Sequence, residues 1–93
     1  MRPLTTDKER RVQFELSAKS GSKVFVAGTF NDWNPTATRL RDSQTSGLYR
    51  ATLALQSGEH EYKFVVDGVW TEDPECADRI PNGYGTLNSV LHV

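Results

Sequence analysis

Apolar and polar residues alternate with a period of two along several short runs of this 93-residue chain, and turn-forming residues separate the runs. Val12, Phe14 and Leu16 stand at alternate positions of one run, as Tyr62 and Phe64 do in another. This spacing places the apolar side chains on one face of a β-strand, and no stretch has a convincing helical periodicity. The pattern predicts an all-β fold of six to eight short strands, an antiparallel β-sandwich with an immunoglobulin-like outline.

The length of the chain is that of one domain. Residues 1–9 are polar and charged, and we predict that they form a flexible N-terminal segment. Residues 10–93 are then the folded β-sandwich domain. Near its end, residues 73–85 contain Pro74, Pro81 and Gly83 and are predicted to form a long loop before the last strand.

The charge and hydropathy of the chain argue against nucleic acid and membranes as partners, and its cysteine content indicates the compartment. The formal net charge is −1, with 11 basic and 12 acidic residues, so electrostatics favour neither nucleic acid nor an anionic membrane as a partner. No apolar run approaches the roughly 18–20 residues that span a bilayer. Cys76 is the single cysteine, which excludes an intrachain disulfide and favours a reducing compartment, so a cytoplasmic location is expected.

The pair Asp67-Gly68 is typical of a two-residue β-hairpin turn, because both positions tolerate positive φ. Such a turn pairs the following residues: Val66 with Val69, Val65 with Trp70, Phe64 with Thr71, and Lys63 with Glu72. Paired residues lie on the same face of a sheet. Phe64 is apolar and marks the core face, so the pairs that contain Lys63 and Val65 are predicted to meet solvent on the other face.

Both tryptophans are unusual in this pattern. Trp70 on the outer face beside Lys63 is either an amphipathic platform or a cover for the sheet edge. Trp33 lies among turn formers in residues 31–35 and is either a plug beneath its loop or a presented ring. Two candidate surface tryptophans in so small a domain point to sugar binding, because the C–H face of a pyranose packs flat on an indole while its equatorial hydroxyls reach polar side chains.

Three motifs occur in order: Gly-x-Phe-Asn-x-Trp at residues 28–33, Glu-x-x-Tyr-Lys-Phe at residues 59–64, and Asp-Gly-x-Trp at residues 67–70, followed by a closing segment at residues 85–91. In this combination the chain resembles the family 48 carbohydrate-binding modules over residues 10–93. That family includes the glycogen-binding domain of the AMP-activated protein kinase β subunit and the N-terminal domains of isoamylases and branching enzymes.

The resemblance implies a β-sandwich that binds α-1,4-linked glucan, namely glycogen, starch or maltooligosaccharide. It implies that Trp33 and Trp70 stack on successive glucose units, and that Lys63, Thr86 and Asn88 form hydrogen bonds to the sugar. Tyr84 stands where the kinase subunit has a Leu that reaches into the ring of a cyclic glucan, and a Tyr can stack on the sugar instead.

Two other functions compete with sugar binding. Catalysis would need paired carboxylates across a cleft, a Ser–His–Asp set, a metal site or a phosphate loop, and none of these patterns is present. We therefore expect no catalytic residues, no metal and no cofactor. The alternative is a structural or protein-docking module, attached to a kinase or to a glycogen- or starch-acting enzyme, that binds no sugar itself.

Overall fold

A computed structural model describes residues 9–42 and 44–93, which form eight β-strands and no helix. The strands are β1 (Glu9–Ser17), β2 (Val24–Gly28), β3 (Arg39–Leu40), β4 (Leu48–Gln56), β5 (Glu59–Val66), β6 (Val69–Thr71), β7 (Arg79–Pro81) and β8 (Leu87–His92). The prediction of an all-β antiparallel sandwich is confirmed. Within these two ranges no helix is long and apolar enough to cross a membrane.

Two antiparallel sheets make up the sandwich. One consists of β1 and β4, and the other has the order β3-β2-β5-β8-β7, with β6 also paired to β5. Strand β2 occupies one edge of β5, while β8 and β6 follow one another along the opposite edge. Strand β8 pairs with β5 up to Tyr62 and β6 pairs from Phe64 onward, so Lys63 lies at the junction between the two.

The core lies between the sheets and is built from the alternating apolar residues. The following side chains form it: Phe14, Leu16, Val24, Val26, Leu40, Tyr49, Leu55, Tyr62 and Phe64. Phe14 on β1 is in ring contact with the large sheet, with centroids 5.0 Å from Tyr62 and 6.5 Å from Phe64. Both arrangements are edge-to-face, which aromatic pairs favour. The core therefore covers one face of the large sheet and leaves the other face open for function.

The Asp67-Gly68 hairpin has the predicted register for the three pairs nearest the turn. Asp67 has φ of 50° and Gly68 has φ of 84°, as a turn of this kind requires. The turn is tied to the start of β2, because Asp67 Oδ1 accepts a hydrogen bond from the Lys23 N–H at 2.8 Å. The fourth predicted pair, Lys63 with Glu72, falls beyond the end of β6.

The long loop predicted for residues 73–85 is wrong in part, because β7 lies inside it. Strand β7 is at the edge of the sheet and pairs with β8 alone. Pro81 has no N–H to donate, and an edge strand tolerates this because one of its sides makes no ladder bonds. A proline-containing stretch without alternation gave no strand signal in the sequence.

Residues 1–8, most of the predicted flexible segment, lie outside the described residues, as does Ser43. Strand β1 begins at Glu9, the last residue of that segment. The domain boundary at residue 10 stays a prediction.

Candidate functional site

Trp70 lies on the open face of the large sheet and is 45% exposed. The strand register places it opposite Val65, which in turn lies opposite Phe25 on β2. Val65 was predicted to meet solvent, and this is wrong, because it is only 3% exposed. Phe25 and Trp70 flank Val65 on the same face as its partners on the two neighbouring strands.

Trp33 is presented by a tight loop after β2, where Asp32 and Trp33 both have positive φ, 57° and 58°. Consecutive left-handed residues other than glycine are strained and occur where surrounding bonds impose them. Asn31 supplies those bonds: its Oδ1 accepts from the Gly28 N–H at 3.0 Å, and its Nδ2 donates to the Val26 carbonyl at 3.0 Å. The half-buried Trp33 is therefore held in place by its loop.

Gly28 brings this loop close to β5. A Cβ at this position would collide with the Glu61 carbonyl oxygen and would lie 2.6 Å from Phe30 Cε2. The next residue continues the pairing, because the Thr29 N–H donates to the Glu61 carbonyl at 3.0 Å. Only glycine permits this approach, which places the Trp33 loop beside the open face of β5.

Lys63 was predicted to meet solvent, and this is also wrong, because the residue is only 7% exposed. On one side it pairs with Ala27 of β2, and on the other it is covered where β6 and β8 meet. Its Nζ donates to Thr86 Oγ1 at 3.0 Å. A buried ammonium group needs such partners to replace water, so its position is set by the loop before β8.

A chain of hydrogen bonds continues from Thr86. Asn82 Nδ2 donates to Thr86 Oγ1 at 2.6 Å and to Asn88 Oδ1 at 3.0 Å. Asn88 Nδ2 then donates to Glu61 Oε1 at 3.0 Å. We call Glu61, Lys63, Asn82, Thr86 and Asn88 the polar wall. Its members come from β5, β8 and the β7–β8 loop, and each is held by another member.

Tyr84 is at the tip of the β7–β8 loop and is 90% exposed. Gly83 and Gly85 on either side have φ of 82° and 83°, which lets the loop turn sharply twice. The backbone N–H of Tyr84 donates to Asn82 Oδ1 at 2.9 Å, which joins the loop tip to the polar wall. The phenol ring stands open to solvent at the rim.

All six residues named from the sequence line one groove of about 910 Å³. They are Trp33, Lys63, Trp70, Tyr84, Thr86 and Asn88. Sequence reasoning missed four further lining residues: Thr29, Glu61, Pro81 and Asn82. Glu61 had a usable signal, since it alternates in step with Lys63. Asn82 had only its place before a glycine, and the other two had none.

The described residues, 9–42 and 44–93, contain no group of three or more His, Cys, Asp or Glu side chains that could hold a metal ion. Glu61 is the one carboxylate among the residues that line the groove. The groove therefore combines two indole rings and a phenol with a polar wall that carries one ammonium and one carboxylate group.

Comparison with known proteins gives consistent results. The family described as "Glycogen recognition site of AMP-activated protein kinase" matches residues 11–93. The chain is 37% identical over 76 residues to 5'-AMP-activated protein kinase subunit beta-2 of Mus musculus, covering 82% of this chain and 27% of that protein. It is 37% identical over 73 residues to subunit beta-1 of Sus scrofa, covering 78% of this chain and 56% of the relative.

The same subunit beta-2 of Homo sapiens is 37% identical over 76 residues, covering 82% of this chain and 26% of that protein. The chain thus spans about a quarter of the length of the beta-2 relatives that it matches. The family is a non-catalytic carbohydrate-binding module. The match over nearly the whole chain, together with the shared identity, shows that this chain belongs to the family of the glycogen recognition site of AMP-activated protein kinase, within the family 48 carbohydrate-binding modules.

Proposed function

We propose that this chain binds α-1,4-linked glucan, as glycogen, starch or maltooligosaccharide, by stacking Trp33 and Trp70 on successive glucose units. The proposal depends on one observation: both indole rings line the same groove as the residues of the polar wall. A groove of about 910 Å³ is within the usual range of ligand sites, about 300–1,000 Å³. Family membership supports glycogen as the natural polymer.

The chemistry of the groove fits a sugar. A glucose ring has apolar faces and an equatorial rim of hydroxyls, so flat aromatic surfaces and side-chain donors must lie close together. Trp33 and Trp70 supply the surfaces, while Lys63, Thr86 and Asn88 supply hydrogen bonds to the hydroxyls. Tyr84 at the rim adds a third ring on which a further glucose unit can stack.

The affinity follows from simple terms. Covering about 100 Å² of each indole is worth roughly 2.5 kcal/mol at ~25 cal/mol per Å², or about 5 kcal/mol for two rings. Three hydrogen bonds add about 1 kcal/mol each. Association costs at least ~4 kcal/mol. The net of about 4 kcal/mol corresponds to a Kd of about 1 mM for a short oligosaccharide, and longer chains that engage Tyr84 bind more tightly, toward the micromolar range.

The test is a maltoheptaose titration followed by tryptophan fluorescence. The chain has two tryptophans, so Trp33→Ala and Trp70→Ala each leave one ring as the reporter. We expect the wild type to respond, and each variant to bind at least tenfold more weakly because it loses about 2.5 kcal/mol of ring burial.

Cellohexaose, with β-1,4 linkages, is the matched ligand control and should give a much smaller response. Calorimetric measurement of the double variant shows whether any binding is left without the rings. A wild type that gives no response to maltoheptaose, or single variants with unchanged affinity, would contradict the proposed function and leave the fold untouched.

A second function, docking to a kinase or to a glycogen- or starch-acting enzyme, is favoured by one observation: the relatives are named as protein kinase subunits, of which this chain spans a part. We place either function in the cytoplasm, because the chain has one cysteine and no disulfide. If docking without sugar binding is the role, native gels that contain glycogen will not retard the wild-type chain, and the two tryptophan substitutions will not alter partner binding.

A further inference from the structure

Asn82 lines the groove, yet its side chain is engaged within the polar wall. Its Oδ1 accepts from the Tyr84 N–H at 2.9 Å, and its Nδ2 donates to Thr86 Oγ1 at 2.6 Å and Asn88 Oδ1 at 3.0 Å. Its backbone N–H also donates to the Thr86 carbonyl at 3.2 Å. One side chain therefore connects three of the residues proposed to contact sugar.

The direction of each side-chain hydrogen bond in the polar wall follows from which atoms can donate and which can only accept. A backbone N–H can only donate, so the Asn82 atom facing Tyr84 must be oxygen and the other must be nitrogen. That nitrogen requires an acceptor, so Asn88 turns its oxygen toward Asn82 and its nitrogen toward Glu61. The carboxylate of Glu61 can only accept, which closes the chain consistently at its other end.

Thr86 is constrained in the same way. Its Oγ1 accepts one bond from Lys63 Nζ and one from Asn82 Nδ2, which uses both lone pairs of the hydroxyl. The O–H proton of Thr86 must then point away from both, and Thr86 lies on the exposed side of the groove. Lys63 retains two N–H groups and Asn88 one N–H, so the polar wall offers donors to a ligand.

We infer that Asn82 is a positioning residue that sets the polarity of the polar wall, so that Thr86 and Asn88 donate hydrogen bonds to the oxygen atoms of the sugar. Asn82 does this through its amide, held by the Tyr84 N–H at one end of the chain, while Glu61 holds the other end. The inference rests on the proposed glucan site. It adds Asn82 and Glu61 to that site as residues that act through Thr86 and Asn88.

Asn82→Asp tests the polarity directly. The carboxylate has almost the same shape and still accepts from the Tyr84 N–H, but it cannot donate. Thr86 and Asn88 then turn their donors inward to the carboxylate. We expect maltoheptaose affinity to fall about tenfold, the size of losing one to two net hydrogen bonds.

Asn82→Ala is the matched comparison, and the rank order decides the question. Alanine removes both the donor and the acceptor, which leaves Thr86 and Asn88 able to donate to the sugar, so we expect only about a threefold loss. A residue that merely holds the loop would give the opposite order, because Asp keeps the bond to Tyr84 that Ala loses. Asn82→Asp binding as tightly as Asn82→Ala, or more tightly, overturns the inference.

Substitutions of Glu61 give a second test, which does not require that the Asn82 variants fold. Glu61→Gln keeps an acceptor oxygen for Asn88, while Glu61→Met has no such oxygen, so we expect Glu61→Met to bind about fivefold more weakly than Glu61→Gln. Equal affinities for these two variants contradict the proposed chain of bonds.

Gln13→Glu on β1 makes the same amide-to-carboxylate change in the other sheet and should bind as wild type does. If Gln13→Glu also lowers the affinity for maltoheptaose tenfold, the change in net charge explains the weak binding of Asn82→Asp and the inference fails. A wild type that does not bind maltoheptaose contradicts the proposed function itself, whereas normal wild-type binding with the wrong order of variants contradicts only the role of Asn82.

Discussion

At the scale of single residues, the bond between Tyr62 and Asp73 holds the core beneath the groove. Tyr62 Oη donates to Asp73 Oδ2 at 2.6 Å, and Asp73 Oδ1 accepts from the Glu75 N–H at 2.9 Å. Both partners are buried, with exposures of 4% and 8%. Burial, with the neighbouring Asp73 carboxylate, raises the pKa of the Tyr62 hydroxyl well above its usual range, so it remains a donor at any physiological pH.

Removing this hydroxyl leaves a buried carboxylate oxygen without its donor. We expect Tyr62→Phe to lower the free energy of unfolding by about 1–3 kcal/mol, which for a domain of this size lowers Tm by roughly 4–8 °C per kcal/mol. Urea and thermal unfolding measure both. Tyr49→Phe is the control, because the Tyr49 hydroxyl bonds backbone groups that are only partly buried and water can replace it. Equal losses for the two variants would show that burial of Asp73 is not the cause.

At the scale of elements, Asp42 binds the residues just before β4, at the end of the loop that leads into this strand. Its Oδ1 accepts from the Ser46 N–H at 2.9 Å and its Oδ2 from the Gly47 N–H at 2.6 Å. The bond from Ser46 is the largest cause that holds the pKa of Asp42 below its ordinary value of 3.8, although partial desolvation opposes it. The charged carboxylate is therefore the form that stabilises the loop.

The pH dependence follows from that direction. Because the pKa of Asp42 is lower in the folded than in the unfolded chain, its contribution is fully present above pH 3.8 and is lost as pH falls through the lower folded value. We expect Asp42→Asn to unfold at lower urea concentration than wild type at pH 7, and the difference to narrow below pH 3.8. Glu75→Gln removes a charge from another loop as a control. A difference that stays constant down to pH 2.5 would rule out this linkage.

At the scale of the whole molecule, the two sheets have different tasks. The β1–β4 sheet covers the core face of the large sheet, and the groove occupies the opposite face. Strand β5 joins the two, because Tyr62 and Phe64 lie in the core while Glu61 and Lys63 line the groove. The chain as a whole is nearly neutral, with a formal net charge of −1, so no long-range field directs a charged ligand to it.

A neutral ligand on a nearly neutral protein gives binding that is insensitive to salt. We expect the affinity for maltoheptaose to change less than about twofold between 50 and 500 mM NaCl, because hydrogen bonds and ring stacking are not screened as charge pairs are. Fluorescence titration at each salt concentration measures this, with sodium sulfate at equal ionic strength as a check for specific ion effects. A loss of tenfold or more would indicate a charged ligand in place of glucan.

Local patterns were sufficient to predict much of this fold. Strands such as β1 and β5 followed from alternation, and the Asp67-Gly68 turn gave the register that places Trp70 opposite Val65. These features depend on neighbours within a few residues, and the physical rule that converts them to geometry is the pleat of a strand. The resemblance to a family added Tyr84, Thr86 and Asn88, which line the groove, and their contacts with sugar stay a prediction.

What the sequence by itself determined is therefore the strand pattern, the hairpin and the residue types of the groove. Only the tertiary structure decided that Lys63 is buried, that Pro81 lies in a strand, and that Asn82 connects Thr86 to Asn88. Lys63 is buried where β8, which lies more than twenty residues further along the chain, shares one edge of β5 with the neighbouring β6. Pro81 and Asn82 are placed by the pairing of β7 with β8. The alternation of a strand records which face a side chain occupies, but not which distant strand will cover it.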